Sequence, residues 1–145
     1  MRTPPDEIDS VTAAVVDAAV KLHMRVGPGL LESVYESLLT KDLVSKGFIV
    51  ERQKLCGFII DGQFFEDGLR VDMLVNGTVV VELKSIEKLA PVHAKQLLSY
   101  LRLLRLQVGL LINFGGATLK EGLQRVVNQY TPSATSQFSA TLREP

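Results

Sequence analysis

The chain has 145 residues, of which 46% are hydrophobic and 22% charged, the usual composition of one soluble globular domain. This composition excludes a disordered protein, a collagen-like fibre and a disulfide-stapled mini-protein, and a balance of 16 basic and 16 acidic residues argues against a strongly basic nucleic-acid coat protein. Because no apolar run reaches roughly 18 residues and no apolar segment follows Met1, we expect neither a membrane span nor a signal peptide. The single cysteine, Cys56, indicates a reducing, cytoplasmic setting.

The first 45 residues predict two helices. Asp6 or Asp9 can cap the first helix, and the Gly-Pro-Gly run at 27–29 ends it. A second helix is predicted over residues 30–45. The apolar positions of the first helix recur at helical spacing: Ile8, Val11, Val15, Ala18, Ala19 and Leu22.

From residue 48 the pattern becomes that of strands. Asp61-Gly62 and Asn76-Gly77 are turn dipeptides, and the second is the strongest hairpin signal in the sequence. The predicted strands cover residues 48–50, 56–60, 64–65, 69–75 and 78–84.

The remaining elements predict a parallel crossover. Pro91 opens a third helix that runs to about Leu104, and a buried strand follows over residues 107–113. Residues 119–128 have the pattern of a last short helix. The whole is a single α/β domain over residues 1–130, with a central mixed sheet flanked by helices. Residues 131–145, six of which are Ser or Thr, predict a flexible C-terminal tail.

Three charged residues interrupt the apolar strands. Asp72 lies inside the strand over 69–75, while Glu82 and Lys84 lie two residues apart near the end of the next one. Burying a charge is costly unless it is paired or binds a metal. Side chains two apart on a strand point to the same face, so Glu82 and Lys84 share one.

The hairpin register decides whether Asp72 joins them. A plain two-residue loop at Asn76-Gly77 places Asp72 opposite Val81, with Glu82 on the other face of the sheet. One extra residue, or a bulge with Gly77 at positive φ, shifts the pairing so that Asp72 shares the face of Glu82. The same shift makes the opposite face, from Val71 to Val75 and Val79 to Leu83, wholly apolar, so the pattern predicts the bulged register.

Two carboxylates and a lysine on one face suit metal-assisted hydrolysis of phosphodiesters. Carboxylates hold hard divalent ions such as Mg²⁺, and a neighbouring lysine orients the attacking water and offsets developing charge. The alternative is an internal ion pair of Lys84 with Asp72 or Glu82. The short E-x-K pattern alone does not separate the two, because it is common by chance.

Four motifs in order resemble the PD-(D/E)XK nuclease superfamily. They are Gly29-Leu30-Leu31-Glu32-Ser33-Val34-Tyr35, Asp72 with Glu82-Leu83-Lys84, Gln96-Leu97-Leu98-Ser99-Tyr100, and Gly109-Leu110-Leu111-Ile112-Asn113-Phe114-Gly115. The first is similar to the motif of the GxxExxY proteins of that superfamily, and the third to the Q-x-x-x-Y element of RecB-type and phage exonuclease branches. The resemblance spans about residues 8–128 and implies a restriction-endonuclease-like αβββαβ core.

The resemblance also implies roles for individual residues. Asp72 and Glu82, with the Leu83 carbonyl, match the ligands of a Mg²⁺ or Mn²⁺ ion, and Glu32 matches a helical acid beside that metal. Lys84 matches the catalytic lysine. Val71 stands where many members of the superfamily have proline.

Three further residues match positions that bind substrate or support the site: Tyr35, Gln96 and Tyr100. The expected partner is nucleic acid, with DNA favoured over RNA, and a core this small is compatible with a homo-oligomer that completes the substrate groove. The main alternative is a nuclease-like fold that binds nucleic acid or protein without catalysis.

Several other residues carry weaker signals. His23 is interpreted as a cation at a helix end and His93 as packing on a helix face. Cys56 lacks a partnering base, so it is not expected to be a nucleophile. Residues 85–110 hold four basic and one acidic residue, but a solvated helix face is the ordinary reading of Arg102 and Arg105.

Overall fold

The computed structural model describes residues 5–128, and the tail predicted over residues 131–145 lies outside them. Its elements in chain order are α1 (Pro5–Val26), α2 (Glu32–Ser45), β1 (Val50–Ile60), β2 (Gln63–Val75), β3 (Val79–Lys84), α3 (Pro91–Leu104), β4 (Val108–Asn113), a short 3₁₀ turn (Lys120–Gly122) and β5 (Leu123–Val127). No helix among the described residues has the length and apolar character that crossing a membrane requires.

The five strands form one mixed sheet in the order β1-β2-β3-β4-β5. Neighbouring strands are antiparallel except β3 and β4, which run parallel and are joined through α3. A parallel pair needs a crossover connection, and α3 supplies it. The predicted single α/β domain with a mixed sheet flanked by helices is confirmed.

The two faces of the sheet carry separate apolar cores. One core, here called the α1–α2 side, joins the helix residues Leu22 and Leu39 to Met73 and Val81 of the sheet. The other, called the α3 side, joins Leu97 and its neighbours to the opposite face. The members of the α3 side are Cys56, Leu69, Val71, Leu74, Val80, Leu97, Leu101 and Leu111.

The first helix buries the predicted stripe. All six residues of that stripe are buried, and Leu22 and Ala19 have no exposed surface. The predicted cap is wrong, because α1 extends from Pro5 and Asp9 therefore lies within the helix. The Asp9 carbonyl instead accepts a hydrogen bond from the Thr12 hydroxyl at 3.1 Å.

Two predictions of secondary structure need correction. The short strands predicted over 48–50, 56–60, 64–65 and 69–75 are parts of two long strands, β1 and β2, since main-chain pairing continues through polar residues and past an irregularity at Cys56/Phe58. The last helix, predicted over 119–128, is a 3₁₀ turn followed by β5, which pairs with the open edge of β4. The β-branched pair Val126-Val127 favours a strand. Gly122 packs so closely on Asn113 that a Cβ would lie 2.6 Å from its carbonyl oxygen.

Candidate active site

The β2–β3 hairpin has the predicted register. Val75 pairs with Val79, and Met73 with Val81. Asn76 and Gly77 both have positive φ, and the Thr78 N–H donates to the Val75 carbonyl at 3.0 Å. Thr78 is therefore an additional residue before pairing begins, and the shifted register that the apolar pattern favours is confirmed.

The main-chain pairing of β2 with β3 ends at Met73 and Val81, and hydrogen bonds to side chains replace it from Asp72 and Glu82 onward. The Asp72 N–H donates to Oε2 of Glu82 at 2.7 Å, and the Leu83 N–H donates to Oδ2 of Asp72 at 2.8 Å. Each acid thus takes a main-chain donor of the opposite strand. These two bonds fix both carboxylates at the place where β2 and β3 stop pairing with one another.

The apolar face predicted for β2 is interrupted at this point. Met73 and Val75 pack on the α1–α2 side as expected, but Val71 packs on the α3 side with Val80. The regular alternation of a strand is lost at Asp72, because its N–H and carboxylate are bonded to side-chain and main-chain groups of β3 in place of a regular ladder. The prediction that Val71 shares a face with Met73 is therefore wrong.

The two acids lie close enough to disfavour each other's charge. Burial of the Glu82 carboxyl, and next the charge of Asp72, raise the pKa of Glu82 to about 8, although Lys84 acts in the opposite direction. In the described part of the chain, the Lys84 ammonium forms no ion pair within 4.0 Å. The alternative of an internal ion pair of Lys84 with Asp72 or Glu82 is not what the structure contains.

This raised pKa predicts how the stability of the metal-free protein depends on pH. The folded state keeps a proton on Glu82 that the unfolded chain releases near its ordinary value of 4.5. The stabilisation is therefore complete below pH 4.5 and is lost as the pH rises through about 8. We expect the melting temperature in EDTA to fall over this range through Glu82, and Glu82→Gln to flatten the dependence. If the melting temperature of the wild type changed with pH as little as that of Glu82→Gln, the raised pKa would not belong to Glu82.

An open cleft of about 580 Å³ lies between the start of α2 and the ends of β2 and β3. Three acids line it, namely Glu32, Glu36 and Asp72. Arg70 is the only cationic residue that lines it, and in the described residues it forms no ion pair with these acids. An exposed guanidinium beside carboxylates suits a phosphate anion, which it binds with two parallel hydrogen bonds.

Glu32, the predicted helical acid, is the first residue of α2 and is exposed. Its carboxylate accepts a hydrogen bond from the Ser85 N–H at 3.3 Å, and the Ser85 hydroxyl donates to the Leu30 carbonyl at 2.6 Å. These bonds tie the start of α2 to the residue that follows Lys84. Across residues 5–128 no three His, Cys, Asp or Glu side chains are grouped so that they could hold a metal ion. Glu32 as a metal ligand therefore stays a prediction.

A sequence model of the PD-(D/E)XK nuclease superfamily matches residues 9–126. The chain belongs to the PD-(D/E)XK nuclease superfamily. The matched region runs from α1 into β5 and includes Asp72, Glu82 and Lys84. No curated protein and no solved structure matches the chain.

PD-(D/E)XK nucleases generally use divalent metals, and the donors of this chain fit such an ion. The Asp72 and Glu82 carboxylates lie together, and within residues 5–128 neither forms an ion pair; oxygen is the donor that hard cations prefer. The Leu83 N–H points toward β2, and the C=O of a strand residue points to the same side as its N–H. The Leu83 carbonyl is therefore directed to the side of the two acids, whereas the Lys84 carbonyl accepts from Phe114 of the β4 side.

Tyr35 of the first PD-(D/E)XK motif is fully buried. Its hydroxyl donates to the Gly27 carbonyl at 2.7 Å and accepts from the Leu30 N–H at 3.1 Å, and its ring stacks on Phe114 with centroids 4.2 Å apart. These contacts fasten the α1–α2 loop and so position the start of α2. They fit the supporting role, and they leave the Tyr35 hydroxyl no room to contact substrate.

Gln96 and Tyr100 of the third motif lie one turn apart on α3, and the Gln96 amide donates to the Tyr100 hydroxyl at 2.9 Å. Burial raises the pKa of Tyr100, and the charge of Glu82 raises it further. Gln96 is exposed, so a contact with substrate remains open to it. Arg102 and Arg105 are both exposed toward the end of the same helix.

The two histidines and the cysteine lie outside the site. His23 is buried, and its Nε2 bonds to the Gly116 carbonyl at 3.0 Å. The interpretation as a helix-end cation did not include this burial or this hydrogen bond. His93 accepts from the Ala90 N–H at 2.9 Å through Nδ1 and so caps the start of α3. Cys56 is buried, and this burial raises the pKa of its thiol.

Sequence reasoning missed Glu36 and its partners. Glu36 is buried, and it accepts hydrogen bonds from Arg52 Nε at 3.0 Å and from the Gln53 amide at 2.6 Å. The Gln53 amide also approaches Oδ1 of Asp72 at 3.5 Å. A signal was present for Glu36 alone, since it lies four residues after Glu32 on the same helix face. Nothing in the sequence pattern pointed to the residues of β1.

Proposed function

We propose that this PD-(D/E)XK protein is a divalent-metal-dependent nuclease that hydrolyses phosphodiester bonds of nucleic acid. The observation that carries the proposal is the pair of acids, Asp72 and Glu82, fixed at the point where β2 and β3 part, with Lys84 following on the same strand. Such a pair is costly to keep charged unless a cation joins it. The raised pKa of Glu82 shows that this cost is present here.

Each residue has a proposed role. Asp72, Glu82 and the Leu83 carbonyl hold Mg²⁺ or Mn²⁺, and Glu32 assists directly or through a water molecule. The bound ion supplies Lewis-acid polarisation of a phosphate oxygen. Lys84 is half-buried and forms no ion pair with any described residue, so its ammonium is available to orient the attacking water and to offset the negative charge that develops on the phosphate.

The proposal also covers the substrate and the location of the protein. We propose DNA ahead of RNA, because the Gln96–Tyr100 element resembles that of exonuclease branches. Arg70, the one cationic residue that lines the cleft, is proposed to contact a substrate phosphate. A cytoplasmic location follows from the unpaired thiol of Cys56.

Within the superfamily we propose that the chain belongs to the GxxExxY group. The structure gives each motif position a physical reason. Gly29 has φ +98°, a conformation that L side chains rarely adopt. Glu32 opens α2 and faces the cleft, and Tyr35 holds the preceding loop through its hydroxyl.

The proposal is tested by cleavage of labelled DNA and RNA, single- and double-stranded, in EDTA, Mg²⁺ and Mn²⁺. Lys84→Ala, purified in parallel, reports any contaminating nuclease. Cutting that needs metal and disappears in the variant supports the proposal and identifies the substrate. Equal cutting in both preparations would count against the proposal, because it would come either from a contaminant or from a reaction that does not need Lys84.

Metal binding is expected to raise the melting temperature. Mn²⁺ or Mg²⁺ relieves the repulsion between Asp72 and Glu82, and an ion at about 100 times its Kd stabilises the folded state by about 2.7 kcal/mol. Thermal unfolding in EDTA and in Mn²⁺ measures the shift. Asp72→Asn, which keeps the shape of the side chain and removes its charge, should show none. An unchanged wild-type melting temperature at millimolar Mn²⁺ would contradict the metal site.

A second candidate is a module that binds nucleic acid or protein without catalysis. The observation that favours it is the placement of Glu32, which bonds to the Ser85 N–H and forms no three-acid group with Asp72 and Glu82 in the described residues. This candidate predicts binding of a nucleic acid or a protein partner with no cleavage in any metal. The substrate panel above separates it from the nuclease.

A further inference from the structure

Gln53 occupies an unusual backbone position inside a strand. On β1 and β2, Arg52 pairs with Met73 and Lys54 with Val71, but no pair joins Gln53 to Asp72 between them. Gln53 itself has φ +47°, in the left-handed region that non-glycine residues rarely adopt. The irregularity of β1 therefore lies directly opposite the first acid of the site.

The other non-glycine residues with positive φ have local reasons for it. In residues 5–128 these are Asp61 and Asn76, each in a turn followed by glycine, and Arg105 at the C-terminus of α3. Gln53 is the one that lies within a strand, where no turn or helix end requires the conformation. Backbone strain of this kind persists where the surrounding contacts over-determine it, and it is concentrated at functional sites.

The contacts of the Gln53 side chain show what holds it. Its amide nitrogen donates to Oε1 of the buried Glu36 at 2.6 Å, a short bond to a charged acceptor, and lies 3.5 Å from Oδ1 of Asp72. Arg52 neutralises Glu36 from the other side at 3.0 Å. The amide is thus anchored by Glu36 and directed at the carboxylate of Asp72.

We propose that Gln53 is a positioning residue that orients the Asp72 carboxylate for a divalent cation, with Glu36 acting through it. Oδ2 of Asp72 is already fixed by the Leu83 N–H, and Gln53 fixes the rotation of the carboxylate from the Oδ1 side. Such outer hydrogen bonds pre-orient a ligand without adding charge to the site. The inference rests on the proposed metal site.

The test compares two variants of Gln53 with a matched control. Gln53→Gly removes both the backbone strain and the side-chain amide. Gln53→Asn keeps an amide, but its side chain is one methylene shorter, so an amide bonded to Glu36 does not reach Asp72. Asp61→Gly relieves the same kind of backbone strain at the β1–β2 turn. Calorimetric titration with Mn²⁺ gives the Kd, and thermal unfolding in EDTA gives the melting temperature of each protein.

We expect both Gln53 variants to bind Mn²⁺ about 10- to 100-fold more weakly, as is typical when a residue that orients a metal ligand is removed. In Gln53→Gly the relief of strain offsets the lost hydrogen bonds, so its melting temperature in EDTA should stay close to that of the wild type. Asp61→Gly should bind Mn²⁺ with the wild-type Kd.

Two results would overturn the proposal. Wild-type Mn²⁺ affinity in both Gln53 variants would show that Asp72 is oriented without the Gln53 amide. A sharp fall of the melting temperature with unchanged Kd would show that Gln53 only holds β1 in place. A wild-type protein that binds no Mn²⁺ is a different result, since it removes the metal site on which the proposed function itself depends.

Discussion

Lys84→Ala is expected to lower the rate of phosphodiester cleavage by about 10²- to 10⁴-fold while leaving the fold intact. The side chain is half-buried and forms no ion pair in the described residues, so its loss leaves no buried partner unsatisfied. Its charge lowers the pKa of Glu82, and removing it therefore favours the protonated form of that ligand. The variant loses the group that orients water and also weakens the metal site.

The measurement is the single-turnover cleavage rate of the substrate that the wild type cuts best, with unfolding curves for both proteins. Lys88→Ala is the matched control, because Lys88 is an exposed lysine four residues further along the chain. The control should cleave at the wild-type rate. A fully active Lys84→Ala protein would refute the role assigned to this lysine, and a variant that unfolds would show that its charge is structural.

Asn113→Ala is expected to destabilise the protein by about 2–4 kcal/mol. Asn113 is buried at the end of β4, and its Oδ1 accepts from the N–H groups of Ile86 and Gly115, each at 3.0 Å. Its Nδ2 donates to the Ile86 carbonyl at 2.9 Å. Truncation leaves three main-chain groups without partners in a partly buried loop, and each costs about 1–3 kcal/mol when it is fully buried.

The same loop follows directly on Lys84, the lysine of the proposed site, so we expect stability and activity to be coupled here. Ile86 lies two residues after Lys84, and Asn113 fastens it to the end of β4. Gly115 lets this packing form, since a Cβ there would lie 2.1 Å from the Ile86 carbonyl oxygen. We therefore expect Asn113→Ala to lose cleavage even at temperatures where it remains folded.

Urea unfolding and the cleavage rate test this pair of expectations. Asn128→Ala is the control, because Asn128 is also buried and bonds the main chain at Leu101 of α3 and at Leu106, which lies between α3 and β4. It should lose stability but keep its cleavage rate when folded. An Asn113→Ala protein as stable as the wild type would show that water satisfies the three groups.

The meeting of the two acids was largely predictable because it depends on local pattern. Asp72 and Glu82 stand out as charges in apolar strands, and the apolar residues on either side choose the register that brings them together. Asn76-Gly77 supplies the positive φ values that the bulged turn needs. The predicted register held for these reasons. The predicted face failed one residue away, at Val71, where the hydrogen bonds of the two acids interrupt the alternation of side chains along β2.

The rest of the site depends on contacts between distant segments. Gln53 reaches Glu36 across 17 residues of sequence and Asp72 across 19, and no propensity predicts a left-handed glutamine within a strand. The last element illustrates the same limit. Residues 123–127 pair with the open edge of β4, and that edge exists only after the sheet has formed.

The sequence by itself determined the helices of the α1–α2 side and the β2–β3 register that brings Asp72 and Glu82 together, since side-chain periodicity and turn chemistry act within a few residues. Only the tertiary structure decided that Tyr35 supports the α1–α2 loop, that Glu32 bonds to Ser85, and that the last element is a strand. It also decided the network around Gln53. These features arise from hydrogen bonds and burial between segments far apart in the chain, and their free energy exists only once the sheet and helices have packed.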